Sequence, residues 1–153
     1  SAYPARMNGG EFSYYTDYDQ EHALDANGPN GVSLAEAARE CCISFVIGDG
    51  QSDYVTADAL AAAGRLLGYA LAIEDAVILD DRVTITIRNS GCAVIPYHLY
   101  AAFGTVQSAQ SLKGLLPGET RDLTITITDP DPADFHITSP VLLPGQVVAY
   151  AVE

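Results

Sequence analysis

Glu11 is the carboxylate best placed to do chemistry in this chain. It follows Gly9 and Gly10, whose bare backbone allows close approach, and it precedes Tyr14 and Tyr15. Tyrosine rings present flat apolar faces with a polar tip, so the pair can form a wall for a sugar to stack on. Cleaving a glycosidic bond takes two carboxyl groups flanking it, about 5–10 Å apart. Glu11 would be one of them. Asp17, Asp19 or Glu21, or a residue outside this chain, would be the other. The bland reading of Glu11 is a loop acid or a hydrogen-bond anchor, and single-residue signals of this kind favour it.

The remaining polar clusters point less sharply. Glu21-His22 follows Asp17 and Asp19, and a histidine near carboxylates can be a base or a metal ligand. A lone histidine in a polar loop is more often neither. His98 and His136 are distant in sequence, without the H-x-x-x-H or H-E-x-x-H spacing of a zinc site. Asp129, Asp131 and Asp134 bring oxygen ligands close together, as calcium requires. Yet Asp129-Pro130-Asp131-Pro132 is first a stiff turn, and the glycine and terminal glutamate of an EF-hand are missing. The stretch from Asp49 to Asp53 reads as a loop. No metal site is expected. No G-x-S-x-G elbow, phosphate-binding loop or dinucleotide fingerprint occurs, so no cofactor is expected either.

Cys41, Cys42 and Cys92 form an odd set with one adjacent pair, which is neither a disulfide framework nor the spacing of a structural zinc site. All three read as packing residues, with a bridge from Cys92 to one of the pair left open. Net charge is −13, from 20 acidic and 7 basic residues. Such a surface repels phosphate backbones, which argues against nucleic acid as a partner, and otherwise keeps a domain soluble. No apolar run approaches the roughly 20 residues that span a bilayer. The start, Ser1-Ala2-Tyr3-Pro4-Ala5-Arg6, has no apolar signal core, and the chain reads as a mature product or an excised piece of something longer.

The elements that must position these residues fall into two kinds. Ser33-Leu34-Ala35-Glu36 fits a capping box opening a helix to about Cys41 or Cys42. Ile43 to Ile47 reads as a strand, and Thr56 caps a second helix over 57–67 that Gly68 ends. Gly9 to Tyr15 reads as a short strand entered through a tight glycine turn, and a long polar loop follows it up to residue 32. Beyond Tyr69 the pattern changes. Val83-Thr84-Ile85-Thr86-Ile87 and Leu123-Thr124-Ile125-Thr126-Ile127 alternate apolar and polar residues, the period of a half-buried strand. Strands are expected near 69–79, 82–89, 93–104, 121–128, 134–139 and 146–152, with a weaker one at 109–115. Pro96 implies an edge or an irregularity in the third. The whole is α+β: an α/β segment over 1–68, then an immunoglobulin-like antiparallel β-sandwich of about seven strands over 69–153. The missing tryptophan and cysteine pair argue against an antibody-type domain.

Leu67-Gly68-Tyr69-Ala70-Leu71, Ile87-Arg88-Asn89-Ser90-Gly91-Cys92-Ala93 and Leu115-Leu116-Pro117-Gly118-Glu119 together resemble the C-terminal part of an uncharacterised bacterial family, a domain of unknown function. Its members are similar to glycoside hydrolases, with a (β/α) barrel-like part followed by a β-sandwich. On this resemblance Gly9-Gly10-Glu11 is similar to the end of a late barrel strand and Ile43 to Ile47 to the last one. The earlier barrel strands lie outside this chain, so an active site here would be incomplete.

The resemblance implies a non-catalytic accessory module of a secreted or surface bacterial protein. It would brace a barrel domain missing from this chain, or contact glycan through Tyr14, Tyr15, Tyr97 and Tyr100. The alternatives are a fragment of a carbohydrate-active hydrolase with Glu11 as a catalytic carboxylate, and a protein-interaction domain using an exposed sheet edge.

Overall fold

The computed structural model describes residues 5–48 and 50–153. The fold is α+β. Contacts divide it into two compact units: residues up to Tyr69 together with Gly91–Val94, and Ala70–Ser90 together with Ile95–Glu153.

The first unit is built on two parallel strands, β1 (Asn8–Glu11) and β2 (Ile43–Ile47), with Glu11 opposite Ile47. Parallel neighbours need a long crossover. Here it contains two helices, α1 (Asp17–Glu21) and α2 (Leu34–Cys41). The Ser33 hydroxyl accepts from the Glu36 N–H at 3.2 Å, and the Ser33 N–H donates back to the Glu36 carboxylate at 3.0 Å, the reciprocal cap that the sequence predicts. Cys42 ends α2 in the left-handed region, at φ 52°. α1 lies inside the stretch that reads as polar loop. Thr16 makes it a helix by accepting from the Asp19 N–H at 3.1 Å. α3 (Gln51–Tyr54) is likewise a short helix where a loop is expected, and Asp49 lies outside the described residues. α4 (Ala57–Gly64) is capped by Thr56 as predicted, but stops at Gly64 rather than Leu67.

Ala38, Ile43 and Cys92 are buried together in this unit, with Val46 and Leu67 packed against them. Gly9 serves this packing. A Cβ there would lie 2.6 Å from the Phe45 ring, so the bare backbone accommodates an aromatic neighbour of the same unit.

The second unit holds β3 (Leu71–Leu79), β4 (Arg82–Asn89), β5 (Tyr100–Phe103), β6 (Val106–Gln107), β7 (Thr120–Thr126), β8 (Phe135–Thr138) and β9 (Ala151–Val152). They form a four-stranded sheet in the order β7-β4-β3-β9 and a three-stranded sheet in the order β6-β5-β8. β3 and β4 make a hairpin turned by Asp80 and Asp81, with Asp80 at φ 54°. The period-two alternation falls as read: Val83, Ile85 and Ile87 of β4 and Leu123 and Ile125 of β7 are buried, while Thr84 and Thr124 pair on the other face. A fully buried Leu or Ile contributes about 1.5–3 kcal/mol.

Three expected strands are shorter or missing. Of 93–104 only Tyr100–Phe103 enters a ladder. Pro96 has no N–H to give, the Cys92 and Ala93 N–H groups donate to the Gly68 carbonyl, and Ile95 donates to Leu115. Residues 109–115 form no strand, although Leu112 and Leu115 are buried there. The last strand is only Ala151–Val152, parallel to β3 at Ala72 and Ile73.

Candidate functional site

Glu11 ends β1 and is exposed. With Ser13, Asn30 and Ser33 it lines a cavity of about 290 Å³ whose other walls are largely apolar, among them Leu34 and Val46. Two of its three intended partners, Asp17 and Asp19, are otherwise engaged. The Ser13 hydroxyl donates to the Asp19 carboxylate at 2.6 Å, and the Tyr54 hydroxyl donates to Asp17 at 3.0 Å. That bond to a carboxylate raises the Tyr54 phenol above its ordinary range. Both acids therefore brace the scaffold.

Tyr14 and Tyr15 lie outside that cavity's lining. Their rings stack on each other, with centroids 5.2 Å apart and planes 20° apart. Tyr14 is 49% exposed and Tyr15 84%. Tyr18, also exposed, sits 4.2 Å from the His22 ring. The His22 Nδ1 lies 2.6 Å from the Asp25 carboxylate, so this histidine has a structural partner. Tyr97 and Tyr100 belong to the second unit. Tyr97 is exposed, Tyr100 is half-buried at the start of β5, and the Tyr100 ring lies nearly parallel to His98 with centroids 6.2 Å apart.

The acidic turn is structural. The Asp131 carboxylate accepts from the Ala133 N–H at 2.9 Å and opens a 3₁₀ turn over Pro132–Asp134, while Asp129 adopts the left-handed region at φ 53°. Among the described residues no group of three His, Cys, Asp or Glu could hold a metal ion. All three cysteines are free. Cys92 is buried, as a packing residue should be, but Cys41 is exposed because it lies on the outer side of the last turn of α2.

One residue carries no motif in the sequence and stands out in the structure. Gln51, at the start of α3, is only 4% exposed, and both its amide nitrogen and its amide oxygen lack a hydrogen-bond partner. It lines a cavity of about 320 Å³ in the first unit, walled by Phe12, Leu34, Val46, Leu60 and Leu67. The one sequence signal for it is the glycine at 48, where a Cβ would lie 2.3 Å from the Gln51 Oε1. A third cavity, of about 210 Å³, lies in the second unit among Ile73, Ala76, Ile78, Phe103, Pro132 and Phe135.

Comparison of the chain with protein-family models, with curated proteins and with solved structures gives no match. Among the described residues no helix is long and apolar enough to cross a membrane.

Proposed function

We propose that the chain is a non-catalytic accessory module of a secreted or surface bacterial protein in the glycoside-hydrolase-like class, and that it contacts glycan through Tyr14 and Tyr15. The carrying observation is the stacked pair itself. Two adjacent rings stacked nearly parallel, with Tyr15 84% exposed, hold an apolar ring face open to water at little further ordering cost. Such a face is what the C–H face of a sugar packs against.

The fold supports the same reading. The parallel β1–β2 pair with its helical crossover is consistent with the end of a (β/α) barrel. Seven strands in two sheets favour an immunoglobulin-like sandwich for the second unit, and residues of both sheets line its 210 Å³ cavity. The hydrolase reading has less behind it, because Asp17 and Asp19 are tied to Tyr54 and Ser13.

The test is calorimetric titration of soluble β-glucan, xylan and chitin oligosaccharides into the full chain. At least one should bind, and Tyr15→Ala should weaken it roughly three- to tenfold, the worth of one aromatic contact. Absence of binding across the set, or a Tyr14→Ala, Tyr15→Ala double variant that binds like the parent, would sink the reading.

One observation favours protein interaction as a second role. β9 covers β3 only at Ala72 and Ile73, and Val77, Ile78 and Leu79 are exposed on the uncovered length. A bare apolar edge can accept another strand. Self-association that grows with protein concentration and is lost in Ile78→Lys would support this role, and a monomer at all concentrations would oppose self-pairing.

A further inference from the structure

The open end of β3 and the 210 Å³ cavity of the second unit meet at Ile78, which lines the cavity and is 62% exposed. Among the described residues β3 pairs only with β4 and, at Ala72 and Ile73, with β9. Just beyond, the Asp75 carboxylate takes up the Ala76 N–H at 2.9 Å. Val77, Ile78 and Leu79 remain as a bare length of sheet edge, each more than half exposed. The cavity is walled on one side by β3 and β4 and on the other by Phe103, Phe135 and the prolines before β8, with no contribution from β7 at the opposite edge. The adjoining stretch shows how such a gap is closed. There β9 lies along β3, and the Tyr150 ring, one residue before β9, packs edge-on against Phe135 with centroids 5.3 Å apart.

The chemistry of the gap narrows its occupant. Ligand pockets of about 300–1,000 Å³ carry a few placed polar groups that orient the ligand. This cavity is smaller, and no polar side chain lines it. A side chain carried on an added strand needs no such group, because the main chain of the edge does the orienting. The surroundings are acidic. Asp80 and Asp81 turn the chain after β3, and the Ile127 N–H donates to the Asp81 carbonyl at 2.8 Å. That bond ties the turn to the segment running into Asp129, Pro130, Asp131 and Pro132. All four aspartates are exposed, and among the described residues none is in an ion pair.

We infer that this edge accepts an extended basic peptide of another protein, with one aromatic side chain in the cavity and lysine or arginine against the aspartates. The inference rests on the protein-interaction reading of the same edge and names its partner. Phe103 and Phe135 suit an aromatic anchor. A second copy fits less well. Its β3 runs from Glu74-Asp75 to Asp80-Asp81, so two antiparallel copies would set acid against acid.

The probe is a fluorescein-labelled peptide, Lys-Thr-Lys-Phe-Lys-Thr-Lys, titrated into the full chain at about 0.15 M salt, where weak surface attraction is screened. It should bind saturably, and the backbone amide signals of Val77, Ile78 and Leu79 should shift in a ¹H–¹⁵N NMR spectrum. The same peptide with serine at its centre keeps the charge and should bind at least tenfold more weakly. Replacing its lysines by glutamate should weaken it as much, and neither comparison needs a protein variant. Binding at these amides that ignores the serine exchange would overturn the anchor while leaving the edge reading intact. No binding at millimolar peptide, or binding that leaves these amides unmoved, would overturn the inference. If the chain also stays monomeric at all concentrations, the edge reading falls with it. Benzylamine binding as tightly as the peptide would make the cavity a small-molecule site, and self-association through the same amides would assign the edge to a second copy; either result overturns the inference.

Discussion

The Asn89 side-chain amide donates to the Leu115 carbonyl at 3.1 Å, and both residues are buried. The same residue ties in its main chain. Its N–H donates to the Glu119 carbonyl at 3.0 Å, and its carbonyl accepts from the Gly118 N–H at 2.8 Å. Its Oδ1 accepts from the Ala70 N–H at 3.4 Å. One asparagine thus fastens the end of β4 to the turn before β7 and to the entry of β3. Removing its side chain takes one of two donors from the buried Leu115 carbonyl, the Ile95 N–H being the other, takes an acceptor from the Ala70 N–H, and leaves a void in the core. Asn89→Ala is expected to lower unfolding free energy by about 2–4 kcal/mol, read from urea midpoints. Asn89→Asp should also destabilise at neutral pH, since a carboxylate cannot donate to Leu115. A loss below about 0.5 kcal/mol for Asn89→Ala, the range of an ordinary surface substitution, would remove this residue from the stabilising framework.

The Ser33–Glu36 cap gives the fold an acid-sensitive element. The Ser33 N–H, then its hydroxyl, hold the Glu36 carboxyl below the usual carboxylate range. A folded-state value below the unfolded one, about 4.3, means the stabilisation is fully present above that unfolded value. It fades as pH falls through the folded value. Glu36 is exposed, so the effect is modest. Glu36→Gln should melt lower than the parent at pH 7, and the gap should close at pH 3. A gap that persists unchanged in acid would contradict the ionic cap.

Thiol reactivity should separate the cysteines. Cys92 donates to the carbonyls of Leu66 at 3.3 Å and Ile43 at 3.4 Å, and burial pushes its thiol above the ordinary range. The reactive species is the thiolate, so Cys92 should react slowly. Iodoacetamide at pH 8, followed by peptide mass spectrometry, should modify the exposed Cys41 first and Cys92 at least tenfold more slowly. Equal rates would mean that Cys92 is accessible in solution.

What could be read from the residues was local. The caps at Ser33 and Thr56 depend on contacts three residues apart, and the β4 and β7 alternation depends on the two-residue period of a strand. What could not be read depends on distant partners. Asn89 reads as part of an Asn-Ser-Gly turn, but its burial is set by Leu115 and Glu119. The apolar run after Cys92 reads as strand, yet its backbone groups go to Gly68 and Leu115. Among the candidate site residues, the adjacency of Tyr14 and Tyr15 was legible. The diversion of Asp17 to Tyr54, 37 residues away, was not. Gln51 was invisible because nothing in its own neighbourhood says that Leu34 and Leu60 wall it in.

Gly91–Val94 completes the first unit although the β3–β4 hairpin of the second comes between it and Tyr69. During synthesis the ribosome therefore delivers Ala38 and Ile43 well before the cysteine that seals them. At ordinary translation rates the delay is on the order of seconds. For that interval the nascent chain carries an open greasy seam, and the hairpin must be threaded out before the seam can shut.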